Sequence, residues 1–204
     1  MYSNKLYTPL RYPGGKARFA PLIAEVITTN HLAGGHYLEP YAGGAGVALS
    51  LLIDNVVEHI HINDADPAIA GFWRVATQQS AELVTMVASE PVTMEAWHYW
   101  RSVMLGQETG TELERGFATL FMNRTNRSGI LKGGVIGGKA QTGDYKIDAR
   151  FMRDELCSRL ERIGERSDGI HVYEEDAHEL LKRCHQFLPA TSLIYLDPPY
   201  YVKG

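Results

Sequence analysis

One stretch limits the folds open to this chain: Tyr37-Leu38-Glu39-Pro40-Tyr41-Ala42-Gly43-Gly44-Ala45-Gly46, followed by apolar Val47-Ala48-Leu49-Ser50-Leu51-Leu52. A short strand runs into a glycine-rich turn and then into a helix. The first N–H groups of that helix have no partners within it and point back into the turn. Strand, glycine turn and helix in this order open a nucleotide-cofactor fold with a parallel sheet. The next apolar run, Ile60-His61-Ile62-Asn63-Asp64, ends in an acid 18 positions after Gly46. An acid at roughly that spacing meets the ribose hydroxyls of a bound nucleoside. His59 and His61 share one face of this strand, but no carboxylate or cysteine stands beside them at ligand spacing, so no metal is expected.

Two further strands are expected. Ile170-His171-Val172-Tyr173 leads into Glu174-Glu175-Asp176, and Leu193-Ile194-Tyr195-Leu196 reads as a buried strand ending in Asp197-Pro198-Pro199-Tyr200. Each proline fixes its own φ, lacks an N–H, and biases the preceding residue away from the helical region. The carbonyls of Asp197 and Pro198 are thereby left to accept hydrogen bonds from a ligand. The Asp197 carboxylate, the Pro198 carbonyl and the flat face of Tyr200 together suit an amino group on a planar heterocycle.

Around these strands the pattern is helical. Arg11-Tyr12-Pro13-Gly14-Gly15-Lys16 is a tight turn into a helix over 16–28, with Phe19, Leu22, Ile23 and Val26 as its expected buried stripe. Apolar periodicity continues from 67 to 89, Asp66 standing as N-cap. Helices follow over 94–105, capped by Thr93, and over 112–123, capped by Thr111. Trp97 and Trp100 are read as core. Asp148 is expected to cap a helix over 149–165, buried through Met152, Leu156, Leu160 and Ile163.

The segment 121–150 differs in character. It carries six lysines and arginines against two aspartates, a local balance of +4 in a chain whose net charge is -4. Short apolar pairs separated by glycines read as a β-hairpin or pliant loop. Arg124, Asn126, Arg127, Lys132 and Lys139 are the residue types that hold phosphates and read base edges, so nucleic acid is the expected partner. The acidic whole excludes a generally basic nucleic-acid binder and requires such a local patch. Cys157 and Cys184 have no metal-ligand spacing and fit reduced thiols of a cytoplasmic protein. No apolar run reaches membrane-spanning length.

Taken in order, the Pro-Gly-Gly-Lys turn, the Glu-Pro-Tyr-Ala-Gly-Gly loop, the acids at 64 and 176 and the Asp-Pro-Pro-Tyr motif resemble the Dam-type DNA adenine-N6 methyltransferases from Arg11 to Gly204. The resemblance implies an α/β, Rossmann-like methyltransferase fold with an inserted helical and β-hairpin target-recognition domain. The catalytic domain would comprise 1–67 and 150–204, and the target-recognition domain 68–149. It further implies S-adenosylmethionine as cofactor, held by Tyr12, Lys16, Glu39, Pro40, Ala42, Gly43, Gly44, Asp64, Asp176 and Asp197. Asp197, Pro198, Pro199 and Tyr200 would hold a target adenine flipped out of double-stranded DNA, with Arg124, Asn126, Arg127, Lys132 and Lys139 on the DNA side.

The chain stops four residues after Tyr200, where proteins of the resembled family continue with further strands. The strand bearing Asp197 is therefore expected at a sheet edge, completed by a C-terminal segment or a partner chain. Three alternatives share part of the pattern. A nicotinamide-dependent oxidoreductase would use the glycine turn and Asp64 but leaves Asp197–Tyr200 unexplained. An RNA base methyltransferase and a catalytically inactive DNA- or cofactor-binding remnant also remain open.

Overall fold

The computed structural model describes residues 7–12 and 15–198. The chain divides into two compact units. Of the described residues, the first contains 16–70 and 168–198; the second contains 8–12, 15 and 71–167. Packing thus places 150–167 with the inserted unit, beyond the boundary at 149/150 expected from the sequence.

The first unit is built on a four-stranded parallel sheet of β1 (His36–Glu39), β2 (His59–Asn63), β3 (Ile170–Tyr173) and β4 (Ser192–Ile194), in the spatial order β3-β2-β1-β4. The chain steps outward from β1 to β2 to β3, then returns to the other flank of β1. That reversal makes the gap between the carboxyl ends of β1 and β4 the switch point at which such sheets take their ligands. Helices α1 (Ala20–Thr29) and α2 (Gly46–Ile53) pack against each other. Residues Val47 to Leu52 of α2 are all buried, as befits a helix apolar on every side. Gly35 sets the approach of β1 to β4. A Cβ at this position would lie 1.8 Å from the Thr191 carbonyl oxygen, which accepts the His36 N–H.

Two expectations fail in this unit. In α1 the buried residues are Ala20, Ile23, Ala24 and Ile27, while Phe19, Leu22 and Val26 are exposed. The helix is apolar on two faces, and the smaller residues turn inward because alanine lets it come close to its neighbour. The burial expected for the run 193–196 is the second: Ile194 and Leu196 are exposed at 38% and 54%, because β4 pairs with β1 alone among the described residues and stands at the edge expected for it.

The second unit is helical. After α3 (Pro67–Gln78) come α4 (Ser80–Ser89), α5 (Met94–Met104), α6 (Glu112–Thr125) and α7 (Arg153–Glu165). The periodic run 67–89 is broken at Gln79, whose φ of -132° and ψ of 40° are not helical. The break lets the Ser80 hydroxyl donate to the Leu160 carbonyl of α7, and a Cβ on Gly164 would meet that hydroxyl at 2.6 Å. Thr93 caps α5, and Thr111 caps α6 in a reciprocal box with Glu114. Asp148 does not cap α7. Its carbonyl accepts Phe151 N–H in a short turn, the helix starts at Arg153 without a side-chain cap, and Met152 is exposed. Trp73, Phe117 and Phe121 are fully buried. Each removes enough apolar surface from water to contribute roughly 2–3 kcal/mol. Trp97 and Trp100 are also buried, donating their indole N–H groups to Asn126 Oδ1 and Glu90 Oε1. The last helix, α8 (Ala177–Arg183), returns to the first unit and precedes β4.

Candidate active site at the carboxyl edge of the sheet

Because all four strands are parallel, their carboxyl ends share one edge. In the order β3-β2-β1-β4 that edge carries Asp176, Asp64, Glu39 and Asp197, each shortly past or at the end of its strand.

Glu39 is the most deeply placed, 5% exposed. The Tyr37 hydroxyl donates to its Oε1 at 2.8 Å, and the Ala48 N–H in the first turn of α2 also reaches the carboxylate. Burial nevertheless dominates and pushes the Glu39 carboxyl up to about 7, with the nearby Asp197 charge acting in the same direction. Across the switch point, Lys16 Nζ donates to both Asp197 carboxylate oxygens at 2.9 Å. Lys16, Glu39 and Asp197 thus form one constellation of a cation and two carboxyl groups, drawn from three separate stretches of chain.

The glycine turn is shaped from β2. Ala42 N–H donates to the Asn63 carbonyl, and Gly43 N–H to Asp64 Oδ2 at 3.1 Å. Gly43 and Ala45 sit at φ 47° and 46°, left-handed values that glycine adopts freely and alanine rarely does. A Cβ on Gly46 would lie 3.0 Å from Ala17 Cβ, so α2 starts against the turn that follows Lys16. Pro40, Ala42, Gly43 and Gly44 are buried. Asp64 Oδ1 accepts the Asp66 N–H at 2.9 Å, and burial raises the Asp64 carboxyl above its usual range. Asp176 is exposed; its Oδ1 caps α8 through the His178 and Glu179 N–H groups.

Asn63 is the residue that sequence reasoning missed. It is 1% exposed, and its Nδ2 donates to the carbonyls of Pro40 and Glu175 at 2.9 and 3.0 Å. Its Oδ1 accepts the Glu175 N–H at 3.1 Å. One amide therefore ties the loops after β1, β2 and β3 together. The signal available in the sequence was an amide residue closing a strand directly before Asp64.

Among the remaining expected residues, Pro198 is exposed beside Asp197, while Pro199 and Tyr200 lie outside the described residues. Tyr12 belongs to the second unit, its ring 49% exposed. Among the described residues no three His, Cys, Asp or Glu side chains converge to hold a metal ion, and no helix is long and apolar enough to cross a membrane.

A family model for D12 class N6 adenine-specific DNA methyltransferases matches residues 12–203. The chain belongs to that family. Proteins of this class are N6 adenine-specific DNA methyltransferases. No curated protein matches the chain.

The residues expected to meet DNA divide into two sets. Asn126 is fully buried in the second unit; its Oδ1 accepts Trp97 Nε1–H, and its Nδ2 donates to the carbonyls of Ile130 and Leu131. Arg124 is 7% exposed, with no partner for its Nε among the described residues. Burial, followed by the charges of Arg159 and Arg11, lowers its guanidinium to about 10. Neither side chain projects from a hairpin. The segment holds a single antiparallel bridge, Asn126 to Val135, and otherwise follows turns. Arg127, Lys132 and Lys139 are exposed on this arm. Asn123, also unforeseen, fixes the arm's base by accepting Arg11 N–H and donating to the carbonyls of Arg11 and Gly129.

Proposed function

We propose that the protein transfers a methyl group from S-adenosylmethionine to the N6 amino group of an adenine turned out of duplex DNA, at the site formed by Asp197. The constellation of Lys16, Glu39 and Asp197 at the switch point is the observation that carries this reading. When bound, the cofactor supplies a methyl group activated by its sulfonium charge. The residues of the edge fit it: backbone N–H groups and left-handed turns around Gly43, a buried carboxyl at Glu39 for a cationic ammonium, and acids at 64 and 176 for ribose hydroxyls and an amino group. Lys16 completes the proposed set, with Pro40, Ala42 and Gly44 shaping its wall.

The adenine amino lone pair is delocalised into the ring and attacks poorly. An Asp197 carboxylate and a Pro198 carbonyl accepting its N–H groups favour localising that pair, and stacking on Tyr200 offsets part of the few kcal/mol needed to unstack the base. Lys16 holds the Asp197 carboxylate in place for this task. Incubating the protein with methyl-labelled S-adenosylmethionine and duplex DNA tests the proposal. Label at adenine N6 is the expected result. Label on RNA alone, or binding of both ligands without transfer, overturns it.

The second unit, residues 71–167, serves in this reading as the target-recognition part. Arg127, Lys132 and Lys139 meet phosphates, while Arg124 and Asn126 shape the base of the arm from inside. Replacing any one of the three exposed cations by alanine is expected to weaken DNA binding uniformly across sequences. Each replacement should flatten the slope of log K against log salt by about 1 in titrations from 50 to 200 mM salt.

Glu39 gives a prediction with a defined sign. Its unfolded carboxyl titrates near 4.5 and its folded one near 7. Below 4.5 both states are protonated and the stabilisation is complete; it is lost as pH rises through 7. By pH 8 the loss amounts to about 3 kcal/mol. Glu39→Gln stays neutral, so its melting temperature should gain about 5 °C or more on wild type between pH 5 and pH 8, by calorimetry. The same substitution should weaken cofactor binding.

A further inference from the structure

The opposite end of the sheet carries a second cluster of titratable groups that the reaction does not use. Parallel register sets His36 beside His59 and His61 beside His171. The four imidazoles form a closed ring on one face. His36 and His59 have centroids 4.6 Å apart, His61 and His171 4.5 Å, His36 and His61 5.1 Å, and His59 and His171 5.3 Å. Two sides of this ring are N···N hydrogen bonds, His36 Nδ1 to His61 Nε2 at 2.9 Å and His59 Nδ1 to His171 Nε2 at 3.2 Å. His61 Nδ1 meets the Tyr173 hydroxyl at 2.9 Å, and His61 itself is 3% exposed.

We propose that this ring of imidazoles is an acid-sensitive lock on the sheet, joining β1, β2 and β3 while neutral and releasing them when its paired nitrogens fill with protons. Each N···N bond needs one proton, with one ring donating and the other accepting. A first added proton is accommodated by a change of tautomer: His36 donates from Nδ1 to His61 Nε2, and His61 donates from Nδ1 to the Tyr173 oxygen. A second proton on the same pair leaves two donors face to face and the bond is lost. Charge on both pairs also sets cations within about 5 Å of each other in a partly buried site, where screening is weak.

The groups facing the ring offer little to balance such charge. Glu58 favours the charged form of His36 but ranks behind burial and the other histidines. From the β3 side come Tyr173 and the Arg183 guanidinium, which lies over the Tyr173 and Phe187 rings and is paired with Glu175. Phe187 lies tilted against His61, ring centroids 5.1 Å apart, and contributes no charge. Burial and mutual repulsion accordingly lower His36 and His171, and bring His61 down to about 3. Below the unfolded histidine value of about 6.5 the unfolded chain takes up protons that the folded sheet refuses, so stability falls as pH falls.

Thermal melts of the whole chain at pH 7.5, 6.5 and 5.5, with a ring-proton NMR titration of the histidines, test the lock. Against the Glu39→Gln background, which removes the opposing titration of that carboxyl, the melting midpoint should drop by about 8 °C or more from pH 7.5 to 5.5. In the triple variant His36→Gln, His59→Gln, His171→Gln the drop should be less than half as large. His61 should remain neutral through pH 5 in wild type. The NMR result needs no variant, so it decides the matter should the triple substitution fail to fold. A midpoint independent of pH, an equal drop in the variant, or a His61 that titrates near its ordinary value overturns the proposal.

Discussion

Asp197→Ala is expected to reduce methyl transfer to DNA adenine by about 1,000-fold or more while the dissociation constant for S-adenosylmethionine rises less than about 10-fold. The asymmetry follows from position. Asp197 stands past the end of β4, held by two 2.9 Å hydrogen bonds from Lys16, while Glu39, the glycine turn and Asp64 are fixed from β1, α2 and β2. Removing the Asp197 carboxylate deletes the acceptor for the adenine amino group and leaves the other three elements standing. Asp197→Asn keeps an acceptor oxygen without the charge, and an intermediate rate is expected for it. Single-turnover transfer of labelled methyl groups, measured beside calorimetric cofactor binding, checks both variants. Turnover equal to wild type in Asp197→Ala would remove the carboxylate from the mechanism.

Asn63→Leu is expected to cost about 3–5 kcal/mol of stability and at least about 10-fold in cofactor affinity. The side chain is 1% exposed and makes three hydrogen bonds, to the Pro40 carbonyl and to both backbone groups of Glu175. Leucine fills a similar volume but leaves those buried carbonyls and that N–H without partners. The loops that present Glu39, Asp64 and Asp176 then lose their common tie. Denaturant unfolding and cofactor titration on the same preparations separate the two effects. Retention of affinity despite lost stability would show that the loops hold their shape without the amide.

These two residues also mark what the sequence could tell. The place of Asp197 past the end of β4 was legible because a short apolar run leads into two prolines that end a strand. The caps at Thr93 and Thr111 were legible because capping is decided within four residues. Asn63 was not, since its partners at Pro40 and Glu175 lie 23 and 112 positions away. The imidazole ring escaped notice for the same reason: His59 and His61 were visible as a pair, but His36 and His171 join them only through cross-strand register. Phe19, Leu22 and Val26 misled because apolar residues on a helix say which faces can be buried and not which one is. Arg124 and Asn126 misled because residue type does not say whether a side chain is exposed: Arg124 is 7% exposed, and the buried Asn126 holds its own loop through the carbonyls of Ile130 and Leu131.

The pairing of β1 with β4 has a consequence for how the molecule comes to be. His36 is in register with Ser192, so the two strands that bracket the switch point are separated by about 150 residues of intervening chain. Closing a loop of that length carries an entropic cost that must be met before the pairing returns anything. The helical unit 71–167 lies inside that loop, and its helices α4 and α7 pack against each other within it. Once folded, it shortens the effective tether between β2 and β3. A chain emerging from the ribosome presents β1, β2 and the helical unit before β4, so the pairing of β1 with β4 closes last among the described strands.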